Sequence, residues 1–214
     1  HGAYAVPYLL PLLTGQGPKA QKVVGRTTSV LIDIGRDACL PLIATLKSKD
    51  SILQLRAVSV LGQVGDRRAV PPLLALHQKD NTSETVKEAA AGAIRSITGK
   101  EARAFKSPTS EYVSLIRLYL EEDAAALGYT FGRWAEVWDW TPEAEDLEER
   151  LTYELIPSFI YYQRQGVSFA LEAVLRDVAV RAHRHVQART VRRGDDIAGP
   201  VNVDGPGRQF DDGL

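Results

Sequence analysis

The first hundred residues use two apolar templates, each three times. The shorter template places apolar side chains at i, i+3, i+4 and i+7. It reads Val6, Leu9, Leu10, Leu13, then Cys39, Leu42, Ile43, Leu46, then Val70, Leu73 and Leu74 with His77 in the last slot. The longer template runs i, i+4, i+7, i+8 and i+11. It reads Val23, Thr27, Val30, Leu31, Ile34, then Leu53, Ala57, Val60, Leu61, Val64, then Val86, Ala90, Ala93, Ile94, Ile97. Both spacings gather their members on one face of an α-helix. The pattern therefore predicts three helix pairs, with the first helices offset by 33 and 31 residues and the second by 30 and 33.

The residues between the stripes agree. Gly35 and Gly65 follow second helices, where a C-terminal glycine can take positive φ, and Gly99 lies close behind the third. Asp37 is expected to cap the second unit's first helix, and Asp50-Ser51 to start its second. Pro7, Pro41 and Pro71-Pro72 fall in first turns, where a missing amide is tolerated.

Ankyrin units need a Thr-Pro-Leu-His-like turn, and tetratricopeptide units need their Trp, Leu-Gly, Tyr and Ala-Phe positions; neither set is present. Instead Ala69-Val70-Pro71-Pro72-Leu73-Leu74, Val86-Lys87 through Ala93-Ile94, and Val60-Leu61-Gly62-Gln63-Val64-Gly65 resemble the short bacterial HEAT repeat of the phycobilisome-lyase-like kind. The resemblance covers residues 2 to 99, just under half the chain. It implies an α-solenoid and, with it, a long curved surface for extended protein partners. One row departs from the family: where an arginine is common, this chain has Val24, Gln54 and Lys87, so no basic ladder runs along the second helices. Gly2 stands three residues before Ala5, as Gly35 stands three before Ala38. With His1-Gly2 at the start and no methionine in the chain, the expectation is that further repeats precede Gly2 in a longer product, or that another chain covers the first unit.

The pattern changes after Gly99. Lys106 to Ser110 reads as a linker and helix start, and Tyr112 to Leu127 as one helix with Leu115, Ile116, Tyr119 and Leu120 on one face. Tyr129, Phe131, Trp134, Trp138 and Trp140 form an aromatic run. The even-numbered tryptophans suit one face of a strand. The acidic stretch of Glu143, Glu145, Asp146, Glu148 and Glu149 then makes the loop of a β-hairpin over about 134–156, closed by Leu151, Tyr153 and Leu155. A helix from Ser158 to Asp177, broken near Gly166, and another from Val178 to Val191 are expected to follow. The fold class is thus mainly α: a HEAT-type solenoid over 1–100, a helical module with one aromatic hairpin over 101–194, and a glycine-rich flexible or docked tail over 195–214.

Charge and chemistry change this picture little. Twenty-six basic and 27 acidic residues leave a net charge of −1, which argues against nucleic acid as a global partner. The single cysteine, Cys39, excludes an internal disulfide and speaks against a secreted disulfide scaffold, which favours cytoplasm over secretion without separating cytoplasm from periplasm. No apolar run reaches the length of a membrane span. Cys39 and His77 occupy core stripe positions. His183 and His185 point about 200° apart on a helix and cannot share a metal. Glu121, Glu122 and Asp123 read as a solvated face, and Asp195-Asp196 and Asp211-Asp212-Gly213 lack calcium-loop spacing. No phosphate loop, nucleophile elbow or zinc motif occurs. The chain is therefore read as a non-catalytic scaffold or assembly subunit, with no cofactor, that binds another protein.

Two features are candidates for that contact. Trp134, Trp138 and Trp140 either pack the hairpin on the solenoid or anchor a partner. Arg181, Arg184, Arg189, Arg192 and Arg193, with Arg176, line a basic helix over 176–193 that either pairs with the acidic hairpin loop or binds an acidic protein, a phosphate-rich ligand or nucleic acid. Likeness to the bilin lyases that share this repeat gives an enzymatic alternative, in which Tyr129, Tyr153 and Tyr161 line a tetrapyrrole pocket.

Overall fold

The computed structural model describes residues 2–127 and 132–177. Residues 1–174 form one compact unit; a second, 175–214, lies almost wholly outside the described residues.

The three predicted helix pairs are α1 (Val6–Leu13) with α2 (Pro18–Ile34), α3 (Cys39–Thr45) with α4 (Ser51–Val64), and α5 (Val70–His77) with α6 (Glu84–Thr98). A short 3-10 turn leads into each first helix, at Gly2–Ala5, Gly35–Ala38 and Arg67–Ala69. Asp37 lies inside the second of these and makes no side-chain cap, so its expected capping role falls away. Asp50 does cap α4, accepting from the amides of Ile52 at 2.8 Å and Leu53 at 3.2 Å. Gly65 and Gly99 end α4 and α6 in the left-handed conformation, at φ 75° and 70°, that a side chain would strain. On the row where the family often has arginine, Gln54 is buried. Its amide nitrogen donates to the Leu46 and Ser48 carbonyls at 3.1 and 2.7 Å, which closes the turn between α3 and α4.

α4 lies between α2 and α6. Its contact with α6 is close because Gly62 has no side chain: a Cβ there would stand 2.9 Å from Ala93 Cβ and 3.0 Å from its Cα. Gly92, on α6, has open space around it. Two glycine substitutions in the solenoid should therefore have opposite signs. Gly62→Val forces the helices apart and is expected to cost about 1–3 kcal/mol, whereas Gly92→Ala gains helix propensity of about 0.5–1 kcal/mol. Thermal melts of both variants check this, and equal shifts would refute the close contact.

The second half begins with α7 (Pro108–Leu120), capped by a reciprocal Ser107–Ser110 box. The single helix expected to Leu127 is interrupted. Glu122 takes φ 52°, its amide bonds back to Tyr119, and the Asp123 amide bonds to Leu118, before the one-turn α8 (Ala124–Leu127). The hairpin pairs β1 (Trp134–Trp140) with β2 (Leu151–Pro157) in antiparallel register, Trp138 opposite Tyr153, and a one-turn α9 (Leu147–Arg150) lies in its loop. After a 3-10 turn at Ser158–Ile160, a helix α10 runs over 161–177. It is not broken at Gly166, contrary to expectation. That glycine is buried, and a Cβ on it would lie 3.4 Å from Tyr119 Cβ, an ordinary contact.

The hairpin and α7 lie on the row of first helices: β1 packs on α3, α9 on α1, and α7 on α5. The hairpin's two faces serve two cores. Trp138, Trp140 and Leu151 join the solenoid core. Ala135, Val137 and Ile156 face a second core with Tyr112, Tyr119, Tyr161 and Phe169.

Candidate partner-binding surface

An aromatic cluster forms where the hairpin meets the first repeat. The 3-10 turn before α1 supplies Tyr4, and the strand register supplies Trp138 and Tyr153 side by side. Ring centroids are 4.9 Å apart for Trp138 and Tyr153, 5.2 Å for Tyr4 and Tyr153 and 6.4 Å for Tyr4 and Trp138. The Tyr4 hydroxyl donates to a Glu136 carboxylate oxygen. That bond, more than burial or the carboxylate charge, pushes the Tyr4 hydroxyl up to about 12.

Of the three tryptophans, Trp138 and Trp140 are core residues and Trp134 is 58% exposed. They share one face of β1, as the even spacing predicted, but only Trp134 is available to a partner. Tyr153 and Leu155 extend the exposed apolar surface on that face of the hairpin. The arginines Arg181, Arg184, Arg189, Arg192 and Arg193 lie outside the described residues, as do His183, His185 and Tyr129. Tyr153 and Tyr161 fall into different clusters, the first with Tyr4 and Trp138, the second with Tyr119 and Tyr162.

Ion pairs at two points join elements that are distant in sequence. Lys47, in the turn after α3, reaches Asp139 of β1 at 2.8 Å and Glu172 of α10 at 3.0 Å. Burial alone would raise the Asp139 carboxyl, but the hydrogen bonds from Lys47 and from the Trp140 amide hold it below the ordinary range. The second point is a cavity of about 500 Å³ lined by Arg36, Asp66, Arg67 and Arg68 and by Val64, Leu115, Leu118 and Leu127. Within it Asp66 accepts from Arg68 Nη2 at 2.7 Å and from Arg36 Nε at 3.1 Å. The Asp66 side chain is 1% exposed and that of Arg68 8%. Sequence reasoning missed both residues. The signal was an acid directly after the αL glycine, Gly65-Asp66, with an arginine two positions on.

None of these groups forms a nucleophile and base. The Cys39 thiol is fully buried, which pushes it up to about 12, so it is not a thiolate. His77 Nδ1 donates to the Lys87 carbonyl at 3.0 Å and ties α5 to α6. Among the described residues no group of three or more His, Cys, Asp or Glu residues is placed to hold a metal ion. No described helix is long and apolar enough to cross a membrane.

The HEAT-repeat family model matches residues 35–105, which span the second and third helix pairs. This segment is a HEAT-repeat array. The first pair, with the same stripes and the same leading 3-10 turn, extends the HEAT pattern towards Gly2. HEAT repeats generally act as protein-interaction scaffolds and are typically non-catalytic. No curated protein and no solved structure matches the chain.

Proposed function

We propose that this HEAT-repeat chain is a non-catalytic scaffold that joins a protein assembly through the open side of its first repeat, where it receives another helix pair of the same kind. One observation carries the reading. Tyr8, Leu12, Val23 and Val30 are between 44% and 68% exposed. The matching positions of the second repeat, Pro41, Thr45, Leu53 and Val60, are all buried, as are Pro72, Leu76, Val86 and Ala93 of the third. Val23 and Val30 instead face outward, because α4 covers one side of α2 and no described element covers the other. A HEAT helix pair fits that side, since α2 and α4 each pack so on the helix that follows.

Repeat arrays gain stability from each nearest-neighbour interface. Fusing a copy of residues 35–64 directly ahead of Gly2 sets Val64 against Gly2 as Ile34 stands against Gly35. The fusion is expected to raise the melting temperature by about 5 °C, the effect of roughly 1–2 kcal/mol in a chain of this size. Val30→Glu, harmless in the unfused chain because the side chain is exposed, should abolish the gain. An unchanged or lowered melting temperature in the fusion would remove the basis for this docking face.

A further inference from the structure

We infer that the outer edge of β2 accepts a third strand, an extended segment of a partner protein with apolar side chains at alternate positions. This names the conformation of a partner and so rests on the scaffold reading, but it uses residues other than Tyr8, Leu12, Val23 and Val30.

The hydrogen-bond ladder of the hairpin decides which edge of β2 is open. At the two ends of the hairpin the Thr141 amide donates to the Arg150 carbonyl at 2.7 Å, and the Ser158 amide to the Arg133 carbonyl at 3.0 Å. In an antiparallel pair, hydrogen-bonded and non-hydrogen-bonded positions alternate. With the register of Trp134 opposite Pro157 through Trp140 opposite Leu151, the bonded partners on β2 are Thr152, Glu154 and Ile156. Leu151, Tyr153 and Leu155 then turn their amides and carbonyls away from β1. Pro157 falls in the same outward set, where its lack of an N–H costs the hairpin nothing. Among the described residues no hydrogen bond is made by the outward amides of Tyr153 and Leu155.

The edge is also accessible. Thr152, Tyr153, Glu154 and Leu155 are exposed, whereas Leu151 is buried. This leaves a window of four residues, Thr152 to Leu155, enough for one short strand. An unpaired row of amides and carbonyls is matched by an extended backbone and not by a helix, whose backbone groups are satisfied internally. The side chains beside the window give the pattern. Tyr153 and Leu155, 45% and 49% exposed, stand on the same face as Trp134, with Tyr4 packed against Tyr153. On the opposite face Glu154 pairs with Arg164 at 3.6 Å and stays largely exposed. The strand that fits is apolar and β-branched next to Tyr153 and Leu155, and polar or basic next to Thr152 and Glu154.

The test uses the capped peptide acetyl-Thr-Val-Lys-Val-Thr-Val-amide and amide hydrogen exchange on the full chain. Saturating peptide is expected to slow exchange at the Tyr153 and Leu155 amides about tenfold or more. Leu155→Pro removes one outward amide and leaves the β1 ladder intact, so it should abolish the protection; Leu155→Ala, which keeps the amide, should weaken it only in part. Should Leu155→Pro disturb the fold, the same peptide N-methylated at its valines, unable to donate along one edge, serves as the second measurement and should give no protection. Unslowed exchange at both amides refutes the inference, and so does equal protection by the N-methylated peptide. Amides already protected without peptide, in a chain that sediments as a dimer, would overturn it in favour of β2 pairing with a second copy. None of these outcomes alters the melting temperature of the helix-pair fusion, so failure of the strand site and failure of the scaffold reading are separable.

Discussion

Asp66→Ala should be the most damaging change in the turn between α4 and α5, costing about 3–5 kcal/mol and lowering the melting temperature by roughly 6–20 °C. The Asp66 carboxylate accepts from the Arg68 guanidinium through Nε and Nη2, from the Arg68 backbone amide at 2.9 Å, and from Arg36 Nε. Arg68 Nη2 also donates to the Arg36 carbonyl at 3.0 Å. This carboxylate thus links the turn before α3 to the turn before α5. Removing it strands the Arg68 charge in a place that is almost closed to water, and an unpaired buried charge is worse than none. Arg36→Ala should matter much less, since half of the Arg36 side chain is exposed and exposed pairs contribute about 1 kcal/mol at most. The pH dependence follows from the same geometry. Burial would raise the Asp66 carboxyl, but the bonds from Arg68 outweigh it and hold the group below its ordinary value. A depressed carboxyl stabilises the fold above its unfolded value of about 3.9 and loses that contribution as pH falls through the folded value. The wild-type melting temperature should therefore fall more steeply below about pH 4 than that of Asp66→Asn. A melting temperature for Asp66→Ala within about 2 °C of wild type would show that the pair is not structural.

The solenoid was readable from the sequence because each unit repeats a helical stripe of its own, and local periodicity is enough to fix a helix face. The unreadable parts are those decided by neighbours. The stripe in α2 gives an apolar face, but the packing neighbours decide which members are covered: Val23 and Val30 are exposed where their counterparts Leu53 and Val60 are buried. The interruption after Leu120 depends on Glu122 adopting positive φ, and the run Glu121-Glu122-Asp123 contains neither the glycine nor the proline that would announce it. Gly166 carried the opposite message: a break was expected, yet it packs beside Tyr119 within a continuous helix. Lys47 and Asp139 lie 92 positions apart, and no local pattern pairs them. The same holds for Tyr4, whose place in the aromatic cluster depends on where the hairpin docks.

The hairpin tryptophans show this difference in energetic terms. Their even spacing put Trp134, Trp138 and Trp140 on one strand face, and the structure does the same, yet Trp138 and Trp140 are buried while Trp134 is exposed. Trp138 and Trp140 lie in the solenoid core, with the Trp138 ring tilted against Tyr153; Trp134 stands at the far end, beside Pro157. Trp138→Ala and Trp140→Ala each empty a buried site of indole size, which is expected to cost about 3–5 kcal/mol. Trp134→Ala removes a largely solvated ring and should stay within about 0.5 kcal/mol. Urea unfolding followed by far-ultraviolet circular dichroism measures all three on one scale. The two core variants should also expose the packing of α3 on β1, so their loss should appear as a lower midpoint with the transition still cooperative, because β1 shares the solenoid's core. Should Trp138→Ala unfold no earlier than Trp134→Ala, the hairpin would be a passenger on the first helices and not part of the core. The strand edge at β2 would then have no rigid base from which to hold a partner.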